Sequence, residues 1–355
     1  MTTALQSADP QPLPLAGEAQ LAALLRAAGV APLDDTGWIR VTGPDRLRWL
    51  NGMVTNSIQT LQPGEGCYNL LLNAQGRIQG DMIAFAPESG QPDSLLLETS
   101  RDQLEKLLAH LNHFIVMDDV ELADISDGRA GVGLGGPQAA ALLRQTGLPV
   151  ASLDPMHMQT TSWRGSPVVI LHAYSPLVAR FEIWAGSTTI AALTAELAAA
   201  GAIPVLPEAL EQLRILEGTP RYGIDIRNTE TAHDLPQETA PIGVQSRALH
   251  FTKGCYLGQE IVERIHSRGG VHRAFSGFVL TGALPTCGTQ LEAQGKPVGE
   301  LTSVASIHLP GQPAPMQLAL GIIRREALEN AQARNLTLTY TGGTATPIAL
   351  PYAVP

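Results

Sequence analysis

Apolar positions in this chain recur with two periods, one of about 3.6 residues and one of two, and their order predicts its elements. Leu104, Leu107, Leu108 and Leu111 fall at the i, i+3, i+4, i+7 spacing, which predicts an amphipathic helix over 102–112. Upstream, Trp38-Ile39-Arg40-Val41 reads as a short strand ending at Gly43, and 44–54 as a helix opened by proline. Residues 67–72 and 78–86 read as strands joined by the hairpin-like Asn73-Ala74-Gln75-Gly76, with 94–98 a third strand and 120–125 a fourth. A second set repeats the grammar: a strand near 130–134, a helix over 137–146, strands at 168–172 and 178–184, and helices at 188–200 and 207–217, each stopped by glycine. Before both sets, a Pro-rich start leads into a short helix over 17–29 with Leu21, Leu24 and Leu25 on one side.

Residues 227–250 break the pattern. They are polar, contain Pro236 and Pro241 and show no period, and a connection of this length without its own structure is usually functional or mobile. Beyond Arg273 the chain turns into short strands with Gly/Pro turns, at 275–280, 297–302, 318–323 and 336–340, as in a small antiparallel barrel. Strands in runs, with helices on one side, predict an α+β fold of sandwich domains and not a parallel βαβ sheet. The expected division is an N-terminal extension (1–34), two α+β subdomains within 35–250 that split near 126, a segment of 251–272, and a C-terminal β-barrel (273–355).

Composition narrows the class. At 355 residues, 44% hydrophobic and 16% charged, the chain can fill more than one core. A net charge of -10 with no basic run argues against gripping nucleic acid. No run is apolar for long enough to span a membrane, and the start lacks the basic and apolar regions of a secretory signal. Cys67, Cys255 and Cys287 form neither a disulfide framework nor a zinc pattern, so a cytoplasmic location is expected and no metal site; no feature demands more than a monomer.

The densest chemistry lies in Lys253-Gly254-Cys255-Tyr256-Leu257-Gly258-Gln259-Glu260, ahead of a segment that can start a helix. An adjacent ammonium and a helix N-terminus both favour a thiolate, although a buried inert cysteine in a tight loop is the commoner reading of a lone one. In Arg180-Phe181-Glu182-Ile183-Trp184, alternation puts Arg180, Glu182 and Trp184 on one face. With Phe181 and Ile183 facing a core, Glu182 faces solvent; facing a cleft, it suits a nitrogen heterocycle with two N–H donors. Leu213 to Asp225 joins a helix, a glycine stop and a fixed exit carrying Arg214, Tyr222, Gly223 and Asp225, at even odds with a plain helix cap. Asp81, after the hairpin, reads as an acid, a base or a turn residue.

The Lys253–Glu260 octapeptide resembles the K-G-C-Y-x-G-Q-E signature of the YgfZ-type folate-binding proteins, whose mitochondrial relatives assist iron–sulfur cluster maturation. These are cousins of the glycine-cleavage T-protein, a tetrahydrofolate-dependent aminomethyltransferase. The resemblance runs from about Trp38 to the barrel and continues through Gln259, Glu260 and Arg264. It implies three domains in a ring around a folate channel. By position, Glu182 matches the glutamate that holds the pterin, Trp38 an aromatic near the folate, and Arg214, Tyr222, Gly223 and Asp225 an R-x-x-x-G-x-x-x-Y-G-x-D pattern of looser spacing. The T-protein hairpin G-G-I-x-D-D stands here as Gly76-Arg77-Ile78-Gln79-Gly80-Asp81, with one aspartate replaced by glycine, which weighs against aminomethyl transfer.

The leading expectation is a protein that binds tetrahydrofolate or a one-carbon derivative and supports iron–sulfur cluster assembly or repair, with iron–sulfur clients or carriers as partners and Cys255 as reactive thiol. One thiolate cannot hold a whole cluster, so Cys255 would act transiently. A folate-dependent one-carbon transferase using Asp81 and a non-catalytic scaffold are the alternatives.

Overall fold

The computed structural model describes residues 17–88, 93–150, 153–229, 234–239, 247–268, 270–334 and 336–354. The Pro-rich start and parts of the polar 227–250 stretch, Pro241 among them, lie outside these residues. In chain order, α1 (Gly17–Arg26) leads into β1 (Gly29–Pro32) and β2 (Thr36–Thr42), then α2 (Arg46–Met53), β3 (Gly66–Leu72), β4 (Ile78–Phe85), β5 (Ser94–Ser100), α3 (Leu104–His113) and β6 (Glu121–Asp124). The second set is β7 (Ala130–Gly135), α4 (Ala139–Gln145), β8 (Met158–Trp163), β9 (Ser166–Ala173), β10 (Arg180–Ala185), α5 (Ser187–Ala199), β11 (Ile203–Pro204) and α6 (Pro207–Glu217). The rest is α7 (Pro236–Thr239), α8 (Gln259–Arg268), β12 (Arg273–Gly282), β13 (Thr289–Ala293), β14 (Lys296–Ile307), β15 (Met316–Arg324), α9 (Arg325–Arg334), β16 (Leu338–Tyr340) and β17 (Gly343–Ile348).

Three sheets result. The first is antiparallel in the order β3-β4-β5-β2-β6. The second, β11-β1-β7-β10-β9-β8, has one parallel pair, β1 with β11. The third closes on itself as β12-β15-β14-β13-β16-β17. The expected fold of mixed α+β units with a closed antiparallel C-terminal barrel is therefore the fold of this chain. Residues 29–32, expected within an N-terminal extension, sit inside the second sheet: β1 pairs with β7 from Gly29↔Gly135 to Pro32↔Val132.

Each sheet is covered by helices on one face. Leu104, Leu107 and Leu111 of α3, with Trp49 and Leu50 of α2, bury the first sheet, as their spacing predicts. Phe181 and Ile183 of β10 pack under α4 and α5. The uncovered faces pack on each other. Trp38 and Leu96 of the first sheet meet Leu171 and Trp184 of the second, with Trp38 and Trp184 rings edge to face at 5.4 Å. Gly131 makes room for this, since a Cβ there would lie 2.5 Å from the Trp184 ring. α1 and α6 fill the space between the second sheet and the barrel.

Candidate functional site

The contact between the sheets decides where Glu182 points. Phe181 and Ile183 do face a core, but the opposite face is covered by the first sheet, so Glu182 is only 4% exposed and not solvent-facing. Its Oε1 accepts from Arg180 Nη2 at 3.1 Å, while its Oε2 is buried and meets no donor of the protein other than the neighbouring Glu98 carboxyl when that is protonated. Two buried N–H donors of the same region, Trp38 Nε1 and Trp184 Nε1, are also unpartnered. From the first sheet comes Glu98, directly opposite Trp38 in register. Burial first, then the charge of Glu182 and a hydrogen bond to it, hold the Glu98 carboxyl well above its usual range, while Arg180 pulls the other way. Two carboxyls so placed share a proton readily.

A cavity of about 520 Å³ adjoins this group, between the second sheet and α6, with Tyr174, Arg180, Arg214, Glu217 and Arg221 in its wall. Arg180 links the two, lining the cavity and donating to Glu182. Trp38 is fully buried behind Trp184 and takes no part in the wall.

Asp81 occupies a second polar group. On β4, Gly80 faces α3, where an added Cβ would lie 2.6 Å from Leu107 Cδ2, so alternation turns Asp81 the other way. A second carboxylate at position 80 would therefore point into α3 and not into the site. Asp81 Oδ2 accepts from Tyr68 Oη at 2.8 Å and Oδ1 from Gln103 Nε2 at 2.7 Å. Burial raises the Asp81 carboxyl above its usual range, against the lowering effect of those two bonds. Arg247 lies over Tyr174 at 3.3 Å and 6.0 Å from the Tyr68 ring centroid, so the group reaches the cavity wall at Tyr174. Tyr222 donates to the Gln79 carbonyl at 2.6 Å beside this group.

Arg214 is placed differently from expectation. Its five N–H donors meet Glu211 twice, the Thr219 carbonyl, Asp225 and Ser303, at 2.6 to 2.9 Å. A guanidinium has five donors, so none is left for a ligand. Arg214 braces α6 against the barrel; Asp225, fully buried, completes the brace.

The cysteine segment stands apart. Cys255 is exposed on the turn before α8. Lys253 does not serve it: its Nζ donates to the carbonyls of Asn51, Val54 and Asn56 at 2.5 to 2.7 Å, closing the C-terminal end of α2. Burial lowers that ammonium to about 8. Tyr256 is buried with Leu70, Leu72 and Ile78. Gly258 has φ +82°, and a Cβ there would lie 2.6 Å from the Asn73 carbonyl, whereas Gly254 has open space around it. Gln259 Oε1 accepts from the Tyr256 N–H at 3.3 Å. Glu260 lies in the first turn of α8, and Arg264 is exposed on its outer face. Among the described residues, no group of three or more His, Cys, Asp or Glu is arranged to hold a metal ion, and no helix is long and apolar enough to cross a membrane.

Sequence patterns alone did not single out Glu98, Tyr68, Gln103, Tyr174 or Arg247. Tyr68 and Glu98 were reachable from strand alternation, but their partners come from other strands and sheets. Arg247 lies in the stretch without a period.

With this architecture in view, residues 14–239 match the model of the GCVT N-terminal domain family, and the chain belongs to that family. It is similar to a putative chloroplastic transferase of Arabidopsis thaliana, 27% identical over 304 residues that cover 84% of this chain and 66% of that protein. An aminomethyltransferase of Thermus thermophilus is also 27% identical, over 79% of this chain and 76% of its own. The crystal structure of the glycine cleavage system aminomethyltransferase T from Bartonella henselae superposes with a TM-score of 0.77, covering 96% of this chain and 91% of that one at 20% identity, a likeness of fold.

Proposed function

We propose that this protein binds a reduced folate, tetrahydrofolate or a one-carbon derivative, in the cavity between the second sheet and α6, and that it supports iron–sulfur cluster assembly or repair through Cys255. The observation that carries the folate reading is Glu182: a buried carboxylate with an oxygen that no N–H of the protein meets, set behind the cavity wall and joined to it through Arg180, which lines the cavity. A buried acceptor without a donor costs about 1–3 kcal/mol, and a ring offering N–H groups removes that cost. Bound folate would supply a carrier for a one-carbon unit. Glu182 would accept from its ring donors, Arg180 holds Glu182 in place, and Tyr174 backed by Arg247 forms the wall on the Asp81 side. Tyr222 keeps that side in register through Gln79.

The cysteine half rests on the octapeptide and on the exposure of Cys255. Its neighbours Lys253, Tyr256 and Gly258 are bound into the structure, which leaves the thiol presented on a fixed turn. A one-carbon transferase is the second reading, favoured by Asp81, a carboxyl held by Tyr68 and Gln103 with its proton affinity raised.

Calorimetric titration with tetrahydrofolate tests the first claim. Binding is expected at micromolar concentration and is expected to weaken about tenfold or more in Glu182→Gln, the loss of a charge-assisted hydrogen bond. No heat from either protein leaves the scaffold reading. The transferase reading requires methylene or methyl turnover that Asp81→Asn abolishes. For the thiol, Cys255→Ala in cells should lower the activity of a cluster-dependent enzyme, and unchanged activity removes that role.

A further inference from the structure

α8 is amphipathic, yet it has two different apolar faces. One is packed: Val262 is fully buried, its carbonyl accepts from Gln237 Nε2 at 3.0 Å, and His266 stacks on Phe251 at 3.9 Å. The other carries Ile261 and Ile265 at i, i+4 and, beside them, Arg264 and Arg268 at the same spacing, two parallel rows on one side of a helix. This second face lines an open groove of about 690 Å³, bounded opposite by the hairpin at Arg77 and by Leu235. The groove is rigid where it starts, because Ile261 packs directly on Gly76 and Gly258 on the Asn73 carbonyl.

Its chemistry runs against the rest of the molecule. The chain has 33 acidic and 23 basic residues, a net charge of -10, yet three guanidiniums border this one groove. Among the described residues, no carboxylate forms an ion pair with Arg264 or Arg268; the acidic side chain of α8 that pairs, Glu263, meets His266 at 4.0 Å. An apolar floor between cationic rows is not what a small anion needs, since an inorganic phosphate gains nothing from isoleucine. A nucleic-acid strand is also a poor fit: no aromatic side chain lines the groove for bases to stack on, and the overall charge repels a polyanion. A peptide with alternating acidic and apolar side chains satisfies both rows.

We propose that this groove docks an acidic, amphipathic peptide segment of a partner protein, its apolar side chains seated against Ile261 and Ile265 and its carboxylates paired with Arg264 and Arg268. The exposed position of Arg264 on the groove assigns it to a partner. The groove and the exposed thiol lie on one continuous segment, so a docked partner would be brought to the Cys255 side of the molecule.

Fluorescence anisotropy with a fluorescein-labelled peptide of repeating Glu-Glu-Leu-Leu tests this on the full chain. Binding is expected to weaken as salt rises, and to fall by about two- to thirtyfold in Arg264→Ala/Arg268→Ala, since each exposed pair contributes modestly and two are lost. Ile265→Asp is expected to weaken it as well. Both variants change exposed or half-exposed side chains remote from the folate cavity, so tetrahydrofolate titration should be unchanged in them and reports that the fold is intact. Equal binding of the peptide to wild type and the double arginine variant overturns the proposal. So does equal competition by an oligoglutamate without leucine, or by a single-stranded RNA, because either would leave the apolar floor without a role. Failure of folate binding in the wild type would sink the functional reading above and leave this one standing.

Discussion

Glu98 carries the sharpest consequence at the scale of a single residue, because burial and the neighbouring Glu182 make its carboxyl hold a proton well above the usual 4.5. The sign follows from linkage. A folded state that binds this proton more tightly than the unfolded chain is most favoured at low pH, and the advantage is lost as pH rises through the folded-state value. Stability should therefore fall as pH rises from about 4.5 toward neutrality, apart from the titration of other groups. Glu98→Gln keeps the shape and cannot ionise, so its Tm at neutral pH is expected to rise by a few degrees and its pH slope in this window to flatten. Thermal melts of both proteins across the window check this; an unchanged slope would mean that Glu98 is not the group responsible. Arg214 teaches the converse lesson. It lies in a motif and in a cavity wall, but its five donors are all engaged within the protein.

Among elements, the cysteine segment shows what spacing can and cannot convey. Two glycines flank Cys255 in sequence, and they look equivalent there. In the fold Gly258 sits at φ +82° against the Asn73 carbonyl, while Gly254 has nothing near it. Gly258→Ala is expected to cost about 2 kcal/mol or more, from a strained backbone and a carbonyl clash, whereas Gly254→Ala should stay within about 0.5 kcal/mol. Chemical denaturation of the two variants measures both, and equal losses would contradict this account of the turn. Most of the regular elements were legible because they repeat an apolar period: α3, β4 and α6 follow directly from it. Three of the strands that escaped lack such a signal, while β13 and β17 of the barrel escaped as well, each short and mostly exposed or half-buried. β1 is four residues with no alternation, β11 is two, and β8 is polar at four of its six residues, as a strand at the edge of its sheet can be. α9 turns only Ala327, Leu328 and Ala331 towards the barrel, a face too small to stand out among its polar residues. The site was legible where one strand defines it, as for Glu182 and Asp81. It was not legible where a second sheet supplies the partner, because nothing in the local pattern near Trp38 states that Glu98 will meet Glu182.

For the molecule as a whole, buried polar joints reinforce the apolar contact of α1 and α6 that connects the barrel to the sheets. Asp225 is fully buried and accepts from Arg214 Nη1 at 2.6 Å, the Arg221 N–H at 3.0 Å and the hydroxyls of Thr302 and Ser303 on β14. Asp234 forms a second such joint, paired with Arg227 and with Arg273 of β12, while its carbonyl accepts from the Ile78 N–H of β4. These joints fix how the cavity wall, the Asp81 strand and the barrel sit together. Asp225→Ala removes a buried acceptor that Arg214, Arg221, Thr302 and Ser303 all use and leaves Arg214 paired with Glu211 alone, which is expected to cost about 3–5 kcal/mol. Replacing both, as Asp225→Ala/Arg214→Leu, also removes the guanidinium donors that lost their acceptor. The double variant should therefore recover part of that loss, giving a coupling between the two sites of about 1–3 kcal/mol. Denaturant unfolding of the two single variants and the double gives the cycle directly. Strictly additive losses would show that Arg214 and Asp225 act independently, and the barrel would then owe its position to the apolar contacts of α1 and α6 alone.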